Sequence, residues 1–162
     1  MKNKKNLLIN NNKIAVWGTG YIGLSTMMYF AKKGVTSIGF DIDLKKVKQI
    51  NKGLLPISEL KSWFGFKIKP FIKKKKLSAT NNLNDLFDRK ISTHFIAIPT
   101  EKDGKPYFKI LFKVLKNIVN IIKNRTSKEK IIVIIESTLT PKFSEKKIIP
   151  FFKSKNIFPG KD

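Results

Sequence analysis

Apolar residues along the chain fall into short continuous runs separated by stretches where they recur every three or four positions. Residues 13–17 (KIAVW) form the first compact run, the pattern of a strand buried on both faces of a parallel sheet. Residues 21–33 continue as a helix, with Gly34 where a C-terminal cap favours a left-handed residue. A second run, Val35–Phe40, ends at Asp41, and Asp43 stands where it can cap the helix LKKVKQIN, which stops at Gly53. Residues 54–76 read as irregular, punctuated by Pro56, Gly65 and Pro70. A short strand is expected near 77–80, a helical turn at 81–88 and a strand at 92–98. Ile110, Leu111, Val114, Leu115, Ile118, Val119 and Ile122 make one helical stripe within 107–124, ordinary core. Ile131–Ile135 is the most hydrophobic strand, followed by a helix over 142–153 and the start of a sixth strand at Asn156–Phe158. Strands alternating with helices predict an α/β fold: a doubly wound parallel sheet in three α/β/α layers, apparently truncated at that sixth strand. Residues 1–12 read as a flexible polar tail and 13–162 as one domain, with no internal repeat.

The first strand leads into Gly18-Thr19-Gly20-Tyr21-Ile22-Gly23 and then a helix. This is a G-x-G-x-x-G turn in the strand–turn–helix context that gives it meaning. Gly18 allows the tight turn, Gly20 lets a pyrophosphate approach the backbone, and Gly23 lets the helix pack close to the strand. The phosphates would sit on unpaired N–H groups at the positive end of the helix. Asp41 ends the second strand 18 residues past Gly23, where its carboxylate can accept from ribose hydroxyls and would repel a 2′-phosphate. That selects NAD over NADP in a Rossmann-type site. Asp41 as a plain helix cap is the competing assignment, for which Asp43 is better placed.

Composition narrows the setting. The 162 residues are 41% hydrophobic, so the chain suits one folded domain, and no apolar run approaches the roughly 18 residues of a membrane span. The basic start is followed by too short an apolar segment for a signal peptide. A cytoplasmic protein is expected. There is no cysteine, which excludes disulfides and a thiol nucleophile within these residues. The formal charge is +23, but of the 34 basic residues only Arg89 and Arg125 are arginines, and the lysines are spread along the chain. Arginine is the usual reader of phosphates and bases, so a solvated lysine surface accounts for the charge better than nucleic-acid binding. The run Lys73–Lys76 reads as a charged loop, and His94, alone on a strand, as structural.

The segments "KIAVWGTGYIGLS" and "IGFDIDLKKVKQINKGLLPISE" resemble the start of the UDP-glucose/GDP-mannose dehydrogenase family, with Tyr21, Ile22, Gly23, Leu24, Asp41, Asn51, Gly53, Pro56 and Glu59 at matching places. "FIAIPTEKDGKPY" and "IIVIIESTLTP" resemble two further segments in family order, so the likeness runs over residues 13–145. It implies the NAD-binding domain of a nucleotide-sugar 6-dehydrogenase, an enzyme that oxidises a sugar C6 alcohol to a carboxylate through a cysteine thioester. Residue by residue, it places Gly18, Thr19, Gly20, Tyr21, Ile22 and Gly23 at the pyrophosphate, Asp41 at the ribose and Lys46 near the adenosine end. Pro99, Thr100, Ser137 and Thr138 would meet the cofactor at the carboxyl edge of the sheet, with Glu136 in the same segment. Glu101, Tyr107 and Lys142-Phe143 depart from the family pattern. The family's catalytic lysine, asparagine and cysteine would lie beyond residue 162. The resemblance therefore implies a cofactor half, inactive alone, that meets a nucleotide sugar only with a further domain, a separate catalytic half or a homodimer partner. Two other readings stand beside it: a domain of another NAD-dependent oxidoreductase, such as a hydroxyacid dehydrogenase, and a non-catalytic nucleotide- or polyanion-binding module.

Overall fold

The computed structural model describes residues 13–88, 91–125 and 130–160; the tail expected over 1–12 lies outside the described residues. In chain order the first half holds β1 (Lys13–Trp17), α1 (Tyr21–Lys32), β2 (Thr36–Phe40), α2 (Leu44–Asn51), α3 (Leu60–Phe64), α4 (Lys69–Lys73) and β3 (Leu77–Thr80). After a 3-10 turn at Leu83–Leu86 come β4 (Ile91–Ile96), β5 (Glu101–Lys102), β6 (Lys105–Pro106), α5 (Lys109–Lys123), β7 (Ile132–Ile135) and α6 (Ile149–Lys153). Five strands form one parallel sheet in the order β3-β2-β1-β4-β7, while β5 and β6 make a separate antiparallel hairpin.

The alternation along β1 divides the interior. Ile14 and Val16 face a core with Leu24, Met27 and Met28 of α1 and Val47 and Ile50 of α2. Ala15 and Trp17 face the opposite core, with Leu111, Leu115 and Ile118 of α5 and Phe152 of α6. Helices thus cover both faces, as parallel sheets require. Trp17 pairs with Phe40 of β2 and with Ile96 of β4, and Ile96 with Ile135 of β7, so four carboxyl ends share one edge. The strand order reverses between β1 and β4, the crevice where open α/β sheets bind ligands.

Local signals act as expected over the first half. Gly34 takes φ +86° and Gly53 φ +77°, ending α1 and α2, and Asp43 accepts from the N–H groups of Lys45 and Lys46 to cap α2. Asn51 bonds both backbone groups of Ala79 at 2.8 Å, covering the outer edge of β3. On α5 the buried residues are Leu111, Val114, Leu115, Ile118, Val119 and Ile121, whereas Ile110 at the start of the expected stripe is exposed.

Three expectations change. The stretch 54–76 contains the short helices α3 and α4. The helix over 142–153 divides into a π-type turn, Ser144–Ile148, and α6. Pro150, in the first turn of α6, has no N–H to give the preceding turn, which accounts for the change of hydrogen-bond pattern. No strand forms at Asn156–Phe158. The Ile157 N–H bonds the Phe152 carbonyl at 3.1 Å and its side chain is buried in the α5–α6 core, so this segment finishes the α6 turn instead.

Candidate functional site

The three glycines of the β1–α1 turn are needed for three different reasons. Gly18 has φ +89°, and a Cβ there would lie 2.4 Å from the Ala97 carbonyl oxygen of the neighbouring strand end. A Cβ on Gly23 would fall 1.9 Å from the Gly18 carbonyl oxygen, so the first turn of α1 closes on the loop only because that atom is missing. Gly20 is the helix N-cap, with no side-chain cap on the α1 N-terminus, and a Cβ there would meet nothing within 4 Å. At Gly18 and Gly23 the vacated space is filled by protein; at Gly20 it is open. The following side chains, Tyr21 and Ile22, are exposed, and the Tyr21 ring lies 5.9 Å from that of Trp63. The unfilled hydrogen-bonding capacity of a helix N-terminus beside an open glycine suits a pyrophosphate, so the residues present fit a dinucleotide.

Asp41 lies at the end of β2 beside this turn. Its Oδ2 accepts from the Thr19 N–H at 2.8 Å and from the Thr19 hydroxyl at 2.6 Å, while Oδ1 accepts from the Asp43 N–H at 3.0 Å. Burial pulls its carboxyl up, but the Thr19 hydroxyl, the N–H groups of Asp43 and Thr19, and the Lys46 charge outweigh burial and hold it below the usual carboxylate range. Asp41 is therefore ionised, half-buried and oriented, with lone-pair capacity left on Oδ1. Asp41 does not cap α2; Asp43 does. Lys46 sits close enough to act on Asp41 through its charge.

At the carboxyl ends of β4 and β7 the hydroxyls hold the two strand-end loops together. Thr100 is buried and donates to the Thr138 carbonyl at 2.7 Å. The Ser137 hydroxyl accepts from the Ile98 N–H at 3.0 Å and donates to the Ile98 carbonyl at 2.7 Å. Pro99 and Thr138 are exposed at the same edge. Glu136 accepts from the Thr26 hydroxyl of α1 at 2.9 Å, and burial pushes its carboxyl up. It thus ties β7 to α1 through Thr26, a partner that spacing in the sequence does not reveal.

His94 belongs to the opposite core. It is fully buried, its Nδ1 accepts from the Trp17 indole N–H at 3.2 Å, and burial together with the Arg125 charge pulls its pKa down to about 3. It is neutral and structural. A surface groove of about 310 Å³ lined by Lys116, Asn120, Lys123 and Lys155 shares no residue with the glycine turn. Among the described residues no His, Asp and Glu side chains gather as a metal site, and no helix is long and apolar enough to cross a membrane.

Known proteins match this arrangement. The model of the UDP-glucose/GDP-mannose dehydrogenase family, NAD binding domain, matches residues 12–158. The chain is 31% identical, over 83% of its length, to 30% of a UDP-N-acetyl-D-mannosamine dehydrogenase of Pyrococcus horikoshii. It is 33% identical, over 78% of its length, to 30% of a UDP-glucose 6-dehydrogenase of Campylobacter jejuni. A solved structure of the UDP-D-ManNAc dehydrogenase from Pyrococcus horikoshii superposes with a TM-score of 0.76 at 29% identity, covering 93% of this chain and 34% of that one. The chain spans about a third of the length of these relatives. Five parallel strands, the glycine turn and the family match together show that the chain belongs to the UDP-glucose/GDP-mannose dehydrogenase family, of which it is the NAD-binding domain.

Proposed function

We propose that this domain presents NAD, through the β1–α1 turn, to the chemistry of a nucleotide-sugar 6-dehydrogenase. The observation that carries the reading is the open space at Gly20 between the uncapped N-terminus of α1 and the ionised Asp41. NAD supplies the hydride acceptor when bound. The chain's own residues bind and orient it: the turn from Gly18 to Gly23 holds the pyrophosphate on the N–H groups that follow Thr19, beside Tyr21 and Ile22, and Asp41 accepts from the adenosine ribose. Thr19, which the resemblance placed at the pyrophosphate, is buried and gives its N–H and its hydroxyl to Asp41 instead. Lys46 lines the adenosine end, and Pro99, Thr100, Ser137 and Thr138 form the edge against which the nicotinamide end rests. The hydroxyls of Thr100 and Ser137 are taken up by backbone groups, so these two act by shaping that edge. We assign the unit to residues 13–162.

The 162 residues contain no cysteine, so a thioester step needs a nucleophile from elsewhere. In this reading a nucleotide sugar is bound only together with a further catalytic domain, joined to this one or supplied by a separate chain or a homodimer partner, in the cytoplasm. The lysine surface is solvated and nucleic acid plays no part. Gly20→Val tests the reading. Gly20 has φ −74° and an unobstructed Cβ direction, so valine is accommodated by the fold, with a change in Tm of about a few degrees. Its side chain fills the space assigned to the pyrophosphate, and calorimetry should register no NAD binding. A folded variant that binds NAD as the wild type does refutes the assignment.

A further inference from the structure

Thr19 occupies the first variable position of the glycine turn, where a side chain would be expected to line the ligand. It does not: Thr19 is completely buried. Its methyl group lies over Gly39 of β2, where an added Cβ would come within 2.8 Å of Thr19 Cγ2 and 2.5 Å of Met27 Sδ. Seated there, Thr19 gives both its donors to one oxygen, Oδ2 of Asp41, two residues past Gly39 and just beyond the end of β2. Asp43 occupies Oδ1 with its N–H. The carboxylate plane is thereby fixed from two sides before any ligand arrives.

We propose that Thr19 is a positioning residue that sets cofactor specificity by clamping Asp41, with the glycine at 39 making room for the clamp. The proposal rests on the assignment of Asp41 to the ribose. A ribose diol asks for an oriented acceptor, while a 2′-phosphate is rejected by a charged carboxylate that cannot turn aside. A charge-assisted hydrogen bond of the kind Thr19 donates is among the stronger ones, and preorganising a group in its binding geometry raises affinity without adding a contact. Loss of the hydroxyl should therefore lower affinity for NAD and relieve the rejection of NADP.

The test uses Thr19→Val, which keeps the buried methyl and removes the donor, and Thr19→Ser, which keeps the donor. Two measurements are made. The first is the Asp41 carboxyl titration in the ligand-free chain by carbon-detected NMR, with Lys46 and Asp43 as the neighbouring charged groups. The carboxyl should titrate at higher pH in Thr19→Val and near the wild-type position in Thr19→Ser. The second is calorimetric titration with NAD and NADP. Thr19→Val should bind NAD about 10-fold more weakly and lose most of its preference over NADP, with Thr19→Ser restoring both. An unchanged Asp41 titration in Thr19→Val overturns the clamp whatever the ligands do. A shifted titration with an unchanged NAD-to-NADP ratio overturns the specificity role. A wild-type chain that shows no preference for NAD overturns the ribose assignment and the specificity role with it, while the clamp is still decided by the titration.

Discussion

His94 gives the sharpest stability prediction, because it is the chain's single histidine and the only candidate for a side-chain titration near pH 6.5. Its Nδ1 takes the Trp17 indole proton, so its own proton sits on Nε2, which is buried without a hydrogen-bond partner among the described residues. Folding lowers its pKa from 6.5 to about 3. Above pH 6.5 the ring is neutral in both states and the linkage is silent. Below it the unfolded chain takes up a proton that the folded chain refuses, so stability falls by about 1.4 kcal/mol per pH unit, reaching at most about 5 kcal/mol near pH 3. Between pH 6.5 and 4.5 the loss should be about 2.5 kcal/mol. Asp41, whose carboxyl is held below 3.8, contributes a loss only at still lower pH, and Glu136, whose carboxyl is pushed up, acts with the opposite sign. The assay is urea unfolding at several pH values. His94→Asn offers an oxygen in place of Nδ1 and does not titrate; it should be less stable at pH 7, from lost ring volume, but nearly flat over this window. A wild type with no slope between pH 6.5 and 4.5, or an Asn variant with the same slope, refutes the reasoning.

Other outcomes follow from particular contacts. Asn51→Leu removes both bonds to Ala79 and leaves the N–H and C=O of that residue unpaired on the outer side of β3, so it should cost about 2–3 kcal/mol in denaturant unfolding without changing the NAD affinity of the folded chain. Gly23→Ala places its Cβ against the Gly18 carbonyl and should lower both stability and NAD affinity, seen as a reduced urea midpoint and a larger Kd. The isolated chain should produce no reduced nicotinamide absorbance with UDP-glucose or GDP-mannose, and addition of a catalytic half carrying a cysteine should restore turnover; steady turnover by the isolated chain would contradict this.

The parts of the fold legible in the sequence are those fixed by local chemistry. The glycine turn, Gly34 and Asp43 stand where backbone sterics or a cap demands that residue type, and the run KIAVW forms β1 as its pattern assigns, with Asp41 directly after β2. The helices α3 and α4 escape detection because five residues are too few to display a period, and Gly65 and Pro70 break the stretch further. The β5–β6 hairpin did have a signal, the pair Asp103-Gly104, both with positive φ as a tight hairpin turn requires. Asn156–Phe158 misleads in the other direction: three residues of mixed polarity have no periodicity to separate a strand from the burial of a single isoleucine. Within the site, the family pattern marks Thr19, Thr100 and Ser137, yet their hydroxyls turn to protein atoms. Which way a hydroxyl turns depends on atoms brought together by the fold, up to 41 residues apart for Ser137 and Ile96, and no local rule carries that.

The open glycine of the turn and the ionised Asp41 beside it suit a dinucleotide. Calorimetric titration of the chain with NAD and, separately, NADP tests this most directly. With Asp41 proposed as the acceptor for the adenosine ribose, NAD should bind and NADP should bind at least about 10-fold more weakly, a difference of about 1.4 kcal/mol. Equal affinity for the two would remove Asp41 from the ribose, and no binding of NAD by the folded chain would contradict the site itself.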